Sequence, residues 1–440
     1  MNKNKEKNSI VERKKMRKVQ LKNLQSMVDY CIKNVPFYKE KLNKAGITSG
    51  KQIKSLEDIS KLPFTTKQDI KDNYPDGLLA VPMEKVVRIQ GSSGTTGKSK
   101  VSFYTRKDLE VWTDCAARLV EFTGATSKDV VQISCGYGMF SGGLGFHYGA
   151  EKVGCTLIPA STLEKTNKQI DFMRDLNTTM LIAIPSYVIY LIEVIEKSNI
   201  PFSDLKIDKM IIGGERTTKS MRKIIEEKFN CKIFNAYGLT ECFGAGLAGE
   251  CKCHDGMHVC EEVFYPEIIN PETGEVLEDG QQGELVFTSL QREAMPIIRY
   301  RTGDITTITH EKCECGSILV RMQAPFARVD DMFILKGVNV YPTQIENIID
   351  NIDGISTHYL IKLERQEKDI ATLYIELKKD KKDYTENEIE KIYKEIDEKI
   401  KGNINVSINL ELVEPNTLMR TSGKTKRVED FRYNTEKKVK

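Results

Sequence analysis

Apolar residues follow two alternating spacings along the chain, and these spacings predict its secondary structure. A helical spacing from Leu21 to Cys31 predicts an amphipathic helix over about residues 10–33, which ends where Pro36 follows Val35. From Val86 onward, strand-like apolar runs alternate with helix-like segments, and the runs are VVRIQ, VVQIS, CTLIPA, MLIAIP, KMIIGG and CKIFNA. This β-then-α rhythm predicts a mostly parallel sheet with ligand-binding turns at its strand ends.

The pattern changes twice in the second half of the chain. Residues 260–325 contain short strands separated by turns, which predict a β-rich subdomain. Beyond residue 330, a helix near Pro342, two strands, a charged helix and a final strand form an α-β-β-α-β unit, which has the size of a small domain. We therefore predict an α/β protein with a large N-terminal domain over residues 1–329, built on mostly parallel sheets, and a small α+β C-terminal domain over residues 330–440.

The composition excludes several classes of protein. Apolar residues make up 40% of the 440-residue chain and charged residues 29%, a globular balance that argues against disorder. The 66 basic and 63 acidic residues give a net charge of +3, so no basic surplus predicts nucleic-acid binding. No apolar stretch approaches the ~18 residues that span a bilayer, and none follows the charged N-terminus as a signal peptide requires. Eleven cysteines, several inside apolar runs, favour a reducing, cytoplasmic compartment over a disulfide framework.

The strongest chemical signal is a glycine-rich segment, GSSGTTGKSK, which spans residues 91–100 directly after VVRIQ. Its three glycines permit close backbone approach, so the amides can form an anion nest that faces phosphate. A Walker A loop is the competing interpretation, but its required first glycine falls on Ser92, and on Leu418 for the later Gly423-Lys424-Thr425 segment. The sequence thus predicts a different kind of phosphate loop, formed by Ser92, Ser93, Gly94, Thr95, Thr96, Gly97 and Lys98.

Two further turns carry polar groups suited to a nucleotide. After the strand CKIF, the segment NAYGLTE (residues 235–241) offers an aromatic ring, a hydroxyl and a carboxylate, which suit base stacking, phosphate binding and Mg²⁺ respectively. The segment RYRTGD (residues 299–304) adds a carboxylate suited to ribose hydroxyls. Each turn alone is also compatible with an ordinary helix cap or hairpin.

In this order and spacing, the three motifs resemble the adenylate-forming superfamily and, more narrowly, the phenylacetate–CoA ligase family. The resemblance extends from Val35 onward and rests further on GYGMFSGGLG (136–145) with HYG (147–149), PSY (185–187), GMH (256–258), DD (330–331), KGVNVYPTQIE (336–346) and SGK (422–424). It implies an enzyme that uses ATP and Mg²⁺ to convert a small aromatic carboxylic acid into an acyl adenylate with release of pyrophosphate. The acyl group would then pass to a thiol, that of coenzyme A.

The resemblance also implies roles for individual residues. The phosphate loop would embrace the β- and γ-phosphates, Thr240 would contact the α-phosphate, and Glu241 would bind Mg²⁺. Adenine and ribose would be contacted by Gly214, Glu215, Asn235, Ala236, Tyr237 and Asp304, with Arg328 as a nearby nucleotide contact. The acyl pocket would be lined by Tyr137, Phe140, Gly142, Gly143, Pro185, Gly214 and Ala236.

By the same resemblance, the small domain is a mobile lid that rotates about Asp330. It would present Lys424 to bridge the substrate carboxylate and ATP during adenylation, and then the loop at residues 337–341 to the thiol. Lys426 is the competing lysine, although only Lys424 directly follows the glycine as the family pattern requires.

The chain departs from the family pattern at two positions. Ala327 replaces a usual glycine before Arg328, a mild change on the approach to the hinge. Ala236 is smaller than the aliphatic residue that relatives often have, which predicts an enlarged acyl pocket and casts doubt on unsubstituted phenylacetate as the substrate.

Cysteine and histidine residues crowd two loops and predict a structural zinc site. Cys251, Cys253, His254, His258 and Cys260 lie in one loop, and the Cys313-Glu-Cys315-Gly316 turn can present two thiolates to one ion. Some family members carry such a zinc. The favoured ligands are Cys251, His258, Cys313 and Cys315, with Cys253 or Cys260 as substitutes; unpaired reduced thiols are the alternative.

Three functions remain open at this point. The first is an aryl–CoA ligase, and the second is a related ligase that loads a carrier-protein pantetheine or stops at the adenylate. The third is a zinc-dependent interaction protein on an inactive scaffold, which the intact Thr240, Glu241, Asp304 and Lys424 disfavour. The sequence does not fix the oligomeric state, for which a homodimer is one candidate.

Overall fold

A computed structural model of the chain describes residues 3–91, 100–139, 141–161, 164–335, 338–365, 369–404, 406–420 and 427–432. Within these ranges ten α-helices form: α1 (Lys3–Asn34), α2 (Pro36–Lys44), α3 (Lys67–Asp72), α4 (Arg106–Phe122), α5 (Ser141–Val153), α6 (Thr166–Asp175), α7 (Pro185–Lys197), α8 (Lys219–Phe229), α9 (Pro342–Ile349) and α10 (Glu386–Ile404). Local sequence explains several helix starts, because Pro185 and Pro342 occupy first-turn positions and Thr105 caps α4 in a capping box with Asp108. None of the helices in the described ranges is both long and apolar enough to cross a membrane.

The same ranges contain twenty-one short strands. Those up to residue 269 are β1 (Arg88–Gly91), β2 (Val101–Tyr104), β3 (Val130–Ser134), β4 (Thr156–Ile158), β5 (Met180–Ala183), β6 (Lys209–Gly213), β7 (Lys232–Leu239), β8 (Gly244–Glu250), β9 (Met257–Val259) and β10 (Phe264–Ile269). The remainder are β11 (Gly283–Ser289), β12 (Tyr300–Thr306), β13 (Ile308–Thr309), β14 (Arg321–Met322), β15 (Ala327–Arg328), β16 (Phe333–Leu335), β17 (Val338–Val340), β18 (Ile355–Arg365), β19 (Asp369–Leu377), β20 (Asn409–Val413) and β21 (Val428–Asp430).

A nine-stranded mixed sheet organises the larger part of the chain, in the order β13-β14-β9-β8-β7-β6-β5-β3-β4. Its strands β4, β3, β5, β6 and β7 pair in parallel, as the β-then-α rhythm predicts, and β8, β9, β14 and β13 continue it antiparallel. The expectation for VVRIQ was wrong. This run contributes to β1, which pairs antiparallel with β2 in a separate two-stranded sheet. Residues 92–100 alone separate the two strands, which is too few for the crossover that a parallel neighbour needs.

The nine-stranded sheet separates two hydrophobic cores. Along β5 and β6, Ile182 and Ile211 belong to the core shared with α1, α4 and α5. Their neighbours Leu181 and Met210 belong to the core formed with α6, α7 and α8. This alternation is the period-2 signature of a strand covered on both faces.

The predicted β-rich subdomain and C-terminal unit both form. A four-stranded sheet has the order β10-β11-β12-β15, and a second has the order β20-β19-β18-β21 beside α9 and α10. The C-terminal unit gains the strand β21 and the β16–β17 hairpin relative to the expected α-β-β-α-β order, and its buried residues form a core of their own from Phe333 to Leu410. A 3₁₀ turn at Val329–Asp331 connects β15 to β16.

Candidate active site

A solvent-accessible cleft lies where several parallel strands end. Its walls come from the carboxyl ends of β3, β5, β6 and β7, from the start of α5, and from β12. This is where ligands bind in open α/β sheets, because loops diverge there and leave a crevice. The described lining residues are Lys67, Lys100, Cys135, Ser141, Gly142, Phe146, Ile182, Ala183, Ile184, Ile211, Gly213, Gly214, Ala236, Tyr237, Gly238, Leu239, Thr240, Glu241, Ala245, Tyr300, Thr302 and Arg328.

Seven residues that the sequence singled out lie together in this cleft: Gly142, Gly214, Ala236, Tyr237, Thr240, Glu241 and Arg328. Others lie next to its walls rather than among the described lining residues. Pro185 begins α7 just after the lining residue Ile184, and Glu215 accepts a hydrogen bond of 2.7 Å from the Ser186 backbone amide. Gly143 packs beneath Gly136, where an added Cβ would lie 2.8 Å from the carbonyl oxygen, and the Tyr137 hydroxyl lies 3.2 Å from His147 Nδ1.

Several of the sequence-predicted positions lie outside the described residues. They are the phosphate-loop residues Ser92, Ser93, Gly94, Thr95, Thr96, Gly97 and Lys98, together with Phe140, Lys336, Gly337, Lys424 and Lys426. Of Asp330, only the backbone is described, within the 3₁₀ turn that follows β15.

Glu241 is the carboxylate around which the polar part of the cleft is arranged. Its residue is only 6% exposed, and its Oε1 lies 2.5 Å from Lys100 Nζ and accepts a hydrogen bond of 2.7 Å from the Tyr300 hydroxyl. Burial alone would raise the pKa of Glu241, but the Lys100 ammonium and these hydrogen bonds outweigh it and hold the pKa below its usual value. The carboxylate is therefore ionised and available as a hard oxygen ligand.

Lys100 and Tyr300 are functional residues that the sequence interpretation missed. Lys100 ends the glycine-rich segment, which was its only signal, and Tyr300 lies inside the RYRTGD segment, where attention went to the aspartate. The contacts to Glu241 join residues 141 and 59 positions apart, so no local spacing could reveal them.

Asp304 lies behind Tyr237 and Arg328 instead of opening directly onto the cleft. It is 2% exposed; its Oδ2 accepts a hydrogen bond of 2.5 Å from the Tyr237 hydroxyl, and its Oδ1 lies 2.7 Å from Arg328 Nη1. The β12–β15 register sets Asp304 directly opposite Arg328. Burial, with the adjacent Asp304 charge, raises the pKa of Tyr237 well above its usual value, so its hydroxyl stays a donor.

Asn235 is fixed by a second buried carboxylate, that of Glu250 on β8. The Asn235 backbone amide and side-chain Nδ2 donate to the Glu250 carboxylate over 2.9 and 3.0 Å. Arg222 Nη2 lies 2.7 Å from Glu250 Oε2. Burial would raise the pKa of Glu250, but a hydrogen bond from His254 and the Arg222 charge lower it to about 2. This carboxylate thus anchors the second half of β7. The sequence predicted a turn at residues 235–241, but the strand continues to Leu239 because both β6 and β8 pair with it.

The four favoured zinc ligands come together at the antiparallel end of the large sheet. The ligand atoms of Cys251, His258, Cys313 and Cys315 all lie within 4.8 Å of one another. Cys251 Sγ is 3.7 Å from Cys313 Sγ, and Cys315 Sγ is 3.4 Å from His258 Nε2. Backbone amides of residues 253 and 317 point at the sulfurs of Cys251 and Cys315. Cys260, a considered substitute, instead contacts Arg118 and the Gly246 carbonyl.

Comparison with known proteins identifies the family of this chain. The model of AMP-binding enzymes matches residues 20–291, and that of the AMP-binding enzyme C-terminal domain matches residues 337–432. The chain therefore belongs to the AMP-binding enzyme family.

Individual relatives indicate which members of the AMP-binding enzyme family this chain is similar to. Phenylacetate-coenzyme A ligase of Pseudomonas putida is 41% identical over 419 residues, which cover 95% of this chain and 94% of the relative, and this confirms the resemblance inferred from the motifs. Among solved structures, 2-hydroxyisobutyryl-CoA ligase in its postadenylation state superposes with a TM-score of 0.87 at 25% identity, over 94% of this chain and 90% of that one. The same ligase in its thioesterification state, complexed with its adenylate and CoA, gives a TM-score of 0.69 over 95% and 90% of the two chains.

The Glu250 anchor generates a stability prediction. A carboxyl whose pKa is about 2 in the folded state and near 4.5 when unfolded contributes about 3 kcal/mol above pH 4.5, and loses it as pH falls toward 2. Glu250→Gln should therefore lower the free energy of unfolding at pH 7 by about 1–3 kcal/mol, measured by urea denaturation, and the deficit should shrink below pH 4.5. Glu227→Gln, an exposed carboxylate on α8, is the control. An equal deficit at pH 7 and pH 3.5 would contradict this assignment.

Proposed function

We propose that this protein activates a small aromatic carboxylic acid with ATP, forming an acyl adenylate and pyrophosphate, and then transfers the acyl group to coenzyme A. The observation that carries the proposal is the composition of the cleft. Thr240, Glu241 and Arg328 line the same space as Gly142, Gly214 and Ala236. A charged nucleotide and a flat apolar group can thus occupy one crevice side by side.

In the first half-reaction, a carboxylate oxygen of the acid attacks the α-phosphorus of ATP, and the bond to pyrophosphate breaks. Two anions must approach each other, so fixed cations and donors between them lower the barrier. Thr240 is the proposed donor to the α-phosphate, and Lys424 is the proposed bridge between the two anions. The 92–98 loop, with Lys98, is the proposed cradle of the other phosphates.

The described residues fit a magnesium ion at Glu241. The site offers a buried, ionised carboxylate, the hard oxygen ligand that Mg²⁺ prefers. A bound Mg²⁺ would neutralise phosphate charge there. The Lys100 ammonium lies 2.5 Å from the same carboxylate and is a second cationic group beside the proposed ion.

In the second half-reaction, the thiol attacks the acyl carbonyl carbon, the bond to the adenylate oxygen breaks, and AMP leaves. We propose that a C-terminal domain, beginning at residue 330, turns about Asp330 between the half-reactions. Asp330 belongs to the 3₁₀ turn Val329–Asp331, which links two regions with separate cores. Hinges are commonly such short connections.

The acid itself is proposed to be aromatic and to carry a ring substituent. Phe146, Ile182, Ile211 and Ala245 supply apolar surface, and Gly142 leaves room for a planar ring. Ala236 projects less side chain than a larger aliphatic residue would, which supports a substituent beside it.

We also propose that Cys251, His258, Cys313 and Cys315 hold a structural zinc. Tetrahedral zinc with sulfur bonds of about 2.3 Å requires sulfur–sulfur separations of about 3.8 Å. The Cys251–Cys313 separation of 3.7 Å fits that edge, and so does the Cys315–His258 separation of 3.4 Å for a shorter nitrogen bond. Protein side chains would supply all four ligands, which is typical of a structural zinc site, because a catalytic zinc site keeps one position open for water or substrate.

The proposed reaction predicts acid-dependent ATP–pyrophosphate exchange by the purified protein. In a panel of phenylacetate, ring-substituted phenylacetates, benzoates and short aliphatic acids, a substituted aromatic acid should give the highest kcat/KM. Thioester formation should then follow with CoA and be at least about tenfold slower with free pantetheine, which lacks the nucleotide's binding energy. Exchange with thioester formation only on a carrier protein would replace CoA as the acceptor, and the absence of exchange with every acid would refute the proposal.

The two candidate lysines are distinguished by the same exchange assay. Lys424→Ala should lower acid-dependent exchange by about 10²-fold or more, the scale of losing one preorganised charge contact. Lys426→Ala should stay within a few-fold of wild type. The reverse ranking would assign the bridging role to Lys426.

The zinc proposal predicts about one zinc per chain in protein purified without added metal. Cys313→Ser with Cys315→Ser should remove the zinc and lower the melting temperature, because structural zinc contributes folding free energy. Cys253→Ser, a half-buried thiol of the same loop, should retain the zinc. Metal-free wild-type protein with an unchanged melting temperature would refute a structural zinc.

A further inference from the structure

Helix α7 connects the cleft to the C-terminal region. It begins at Pro185, directly after the cleft residue Ile184, and the Ser186 amide in its first turn donates to Glu215. Two turns further along, Glu193 reaches the C-terminal region, where its Oε1 lies 3.2 Å from His358 Nε2 and 3.4 Å from Arg420 Nη2. The helix therefore joins the substrate cleft rigidly to a cross-region contact.

Glu193 remains negatively charged in this contact. Burial would raise its pKa, but His358 and Arg420 outweigh burial and hold the pKa of Glu193 below its usual value. Its side chain is 25% exposed, and those of His358 and Arg420 are 10% and 17% exposed. Partly desolvated charges of this kind contribute more than pairs on the open surface.

Arg420 is itself firmly fixed within the C-terminal region. Its two terminal nitrogens each lie 2.8 Å from an oxygen of Glu376, a residue 1% exposed on β19. The Leu418 amide also donates to Glu376, over 2.7 Å. Glu376 thus ties down the chain four residues before Lys424, and Glu193 ties that point to α7.

A second contact joins the larger part of the chain to α9 in the C-terminal region. Arg216 Nη1 lies 3.2 Å from Glu346, and Arg216 Nη2 donates to Asn347 over 2.7 Å. Ser220 donates from its backbone amide to Asp350 over 3.2 Å. Because α9 directly follows the loop proposed to meet the thiol, this contact restrains the same rotation.

We propose that Glu193 is a positioning residue that selects the adenylation arrangement of the C-terminal region, through its contact with His358 and Arg420. The inference rests on the proposed function. Two observations favour the adenylation arrangement over the thioester-forming one: the contact fixes the approach to Lys424, and the overall superposition is better with the postadenylation state. A contact made in only one of two arrangements shifts their populations toward that one.

The test separates the two half-reactions. Glu193→Gln should lower the kcat of acid-dependent pyrophosphate exchange about fivefold or more, the lower end of typical coupling between two states. Single-turnover thioester formation from added acyl adenylate and CoA should stay equal to wild type or increase. The matched control is Glu196→Gln, since Glu196 lies one turn further on α7 but pairs with Lys228 of α8, 2.6 Å away. That variant should leave both rates unchanged.

Coupling and folding are checked separately. Glu193→Gln combined with His358→Gln should cost little more than Glu193→Gln alone, because the Glu193 change already removes the ion pair with His358. Hydrogen exchange at the Leu418 amide should accelerate in Glu193→Gln, with the melting temperature within about 2 °C of wild type.

Equal loss in both half-reactions, or no loss in either, would overturn the inference. Absence of both half-reactions in the wild type would instead refute the proposed function, and the hydrogen-exchange result would still report on the contact.

Discussion

The buried carboxylate of Glu241 sets the electrostatic requirement for the rest of the cleft. An ionised carboxylate out of water is costly unless cations and donors surround it, and here Lys100 and Tyr300 supply them. Behind it, Arg292 is 1% exposed, lies over the rings of Tyr104 and Phe243, and donates to the Glu241 backbone carbonyl. The carboxylate and its cationic partner therefore lie together in the polar part of the cleft.

Hydrophobic packing on both faces of the central strands fixes the apolar part of the cleft. Strands β5 and β6 are buried on both faces, so they can end together at one edge and present Ile184, Gly213 and Gly214 to the cleft without distortion. The C-terminal region has a separate hydrophobic core of its own.

Sequence reasoning reached those features that local pattern determines. The five parallel strands, the C-terminal unit and the clustering of Cys251, His258, Cys313 and Cys315 follow from spacing, turns and resemblance. The β1–β2 hairpin was missed because an apolar run before a glycine-rich turn has the same pattern in a hairpin as in a parallel strand. The Lys100–Glu241 and Glu193–Arg420 contacts were also missed, since they join residues 141 and 227 positions apart.

Strand β7 lies where the parallel part of the nine-stranded sheet meets the antiparallel part. It pairs in parallel with β6 and antiparallel with β8, and the pairing shifts between Tyr237 and Gly238. At Gly238 an added Cβ would lie 2.0 Å from the Gly244 carbonyl oxygen, so only glycine permits this close approach. Residues on both sides of this irregularity, from Ala236 to Leu239, line the cleft. Parallel strands on one side of β7 supply the apolar wall of the cleft, and the antiparallel strands on its other side, with their connecting loops, carry the cysteine cluster.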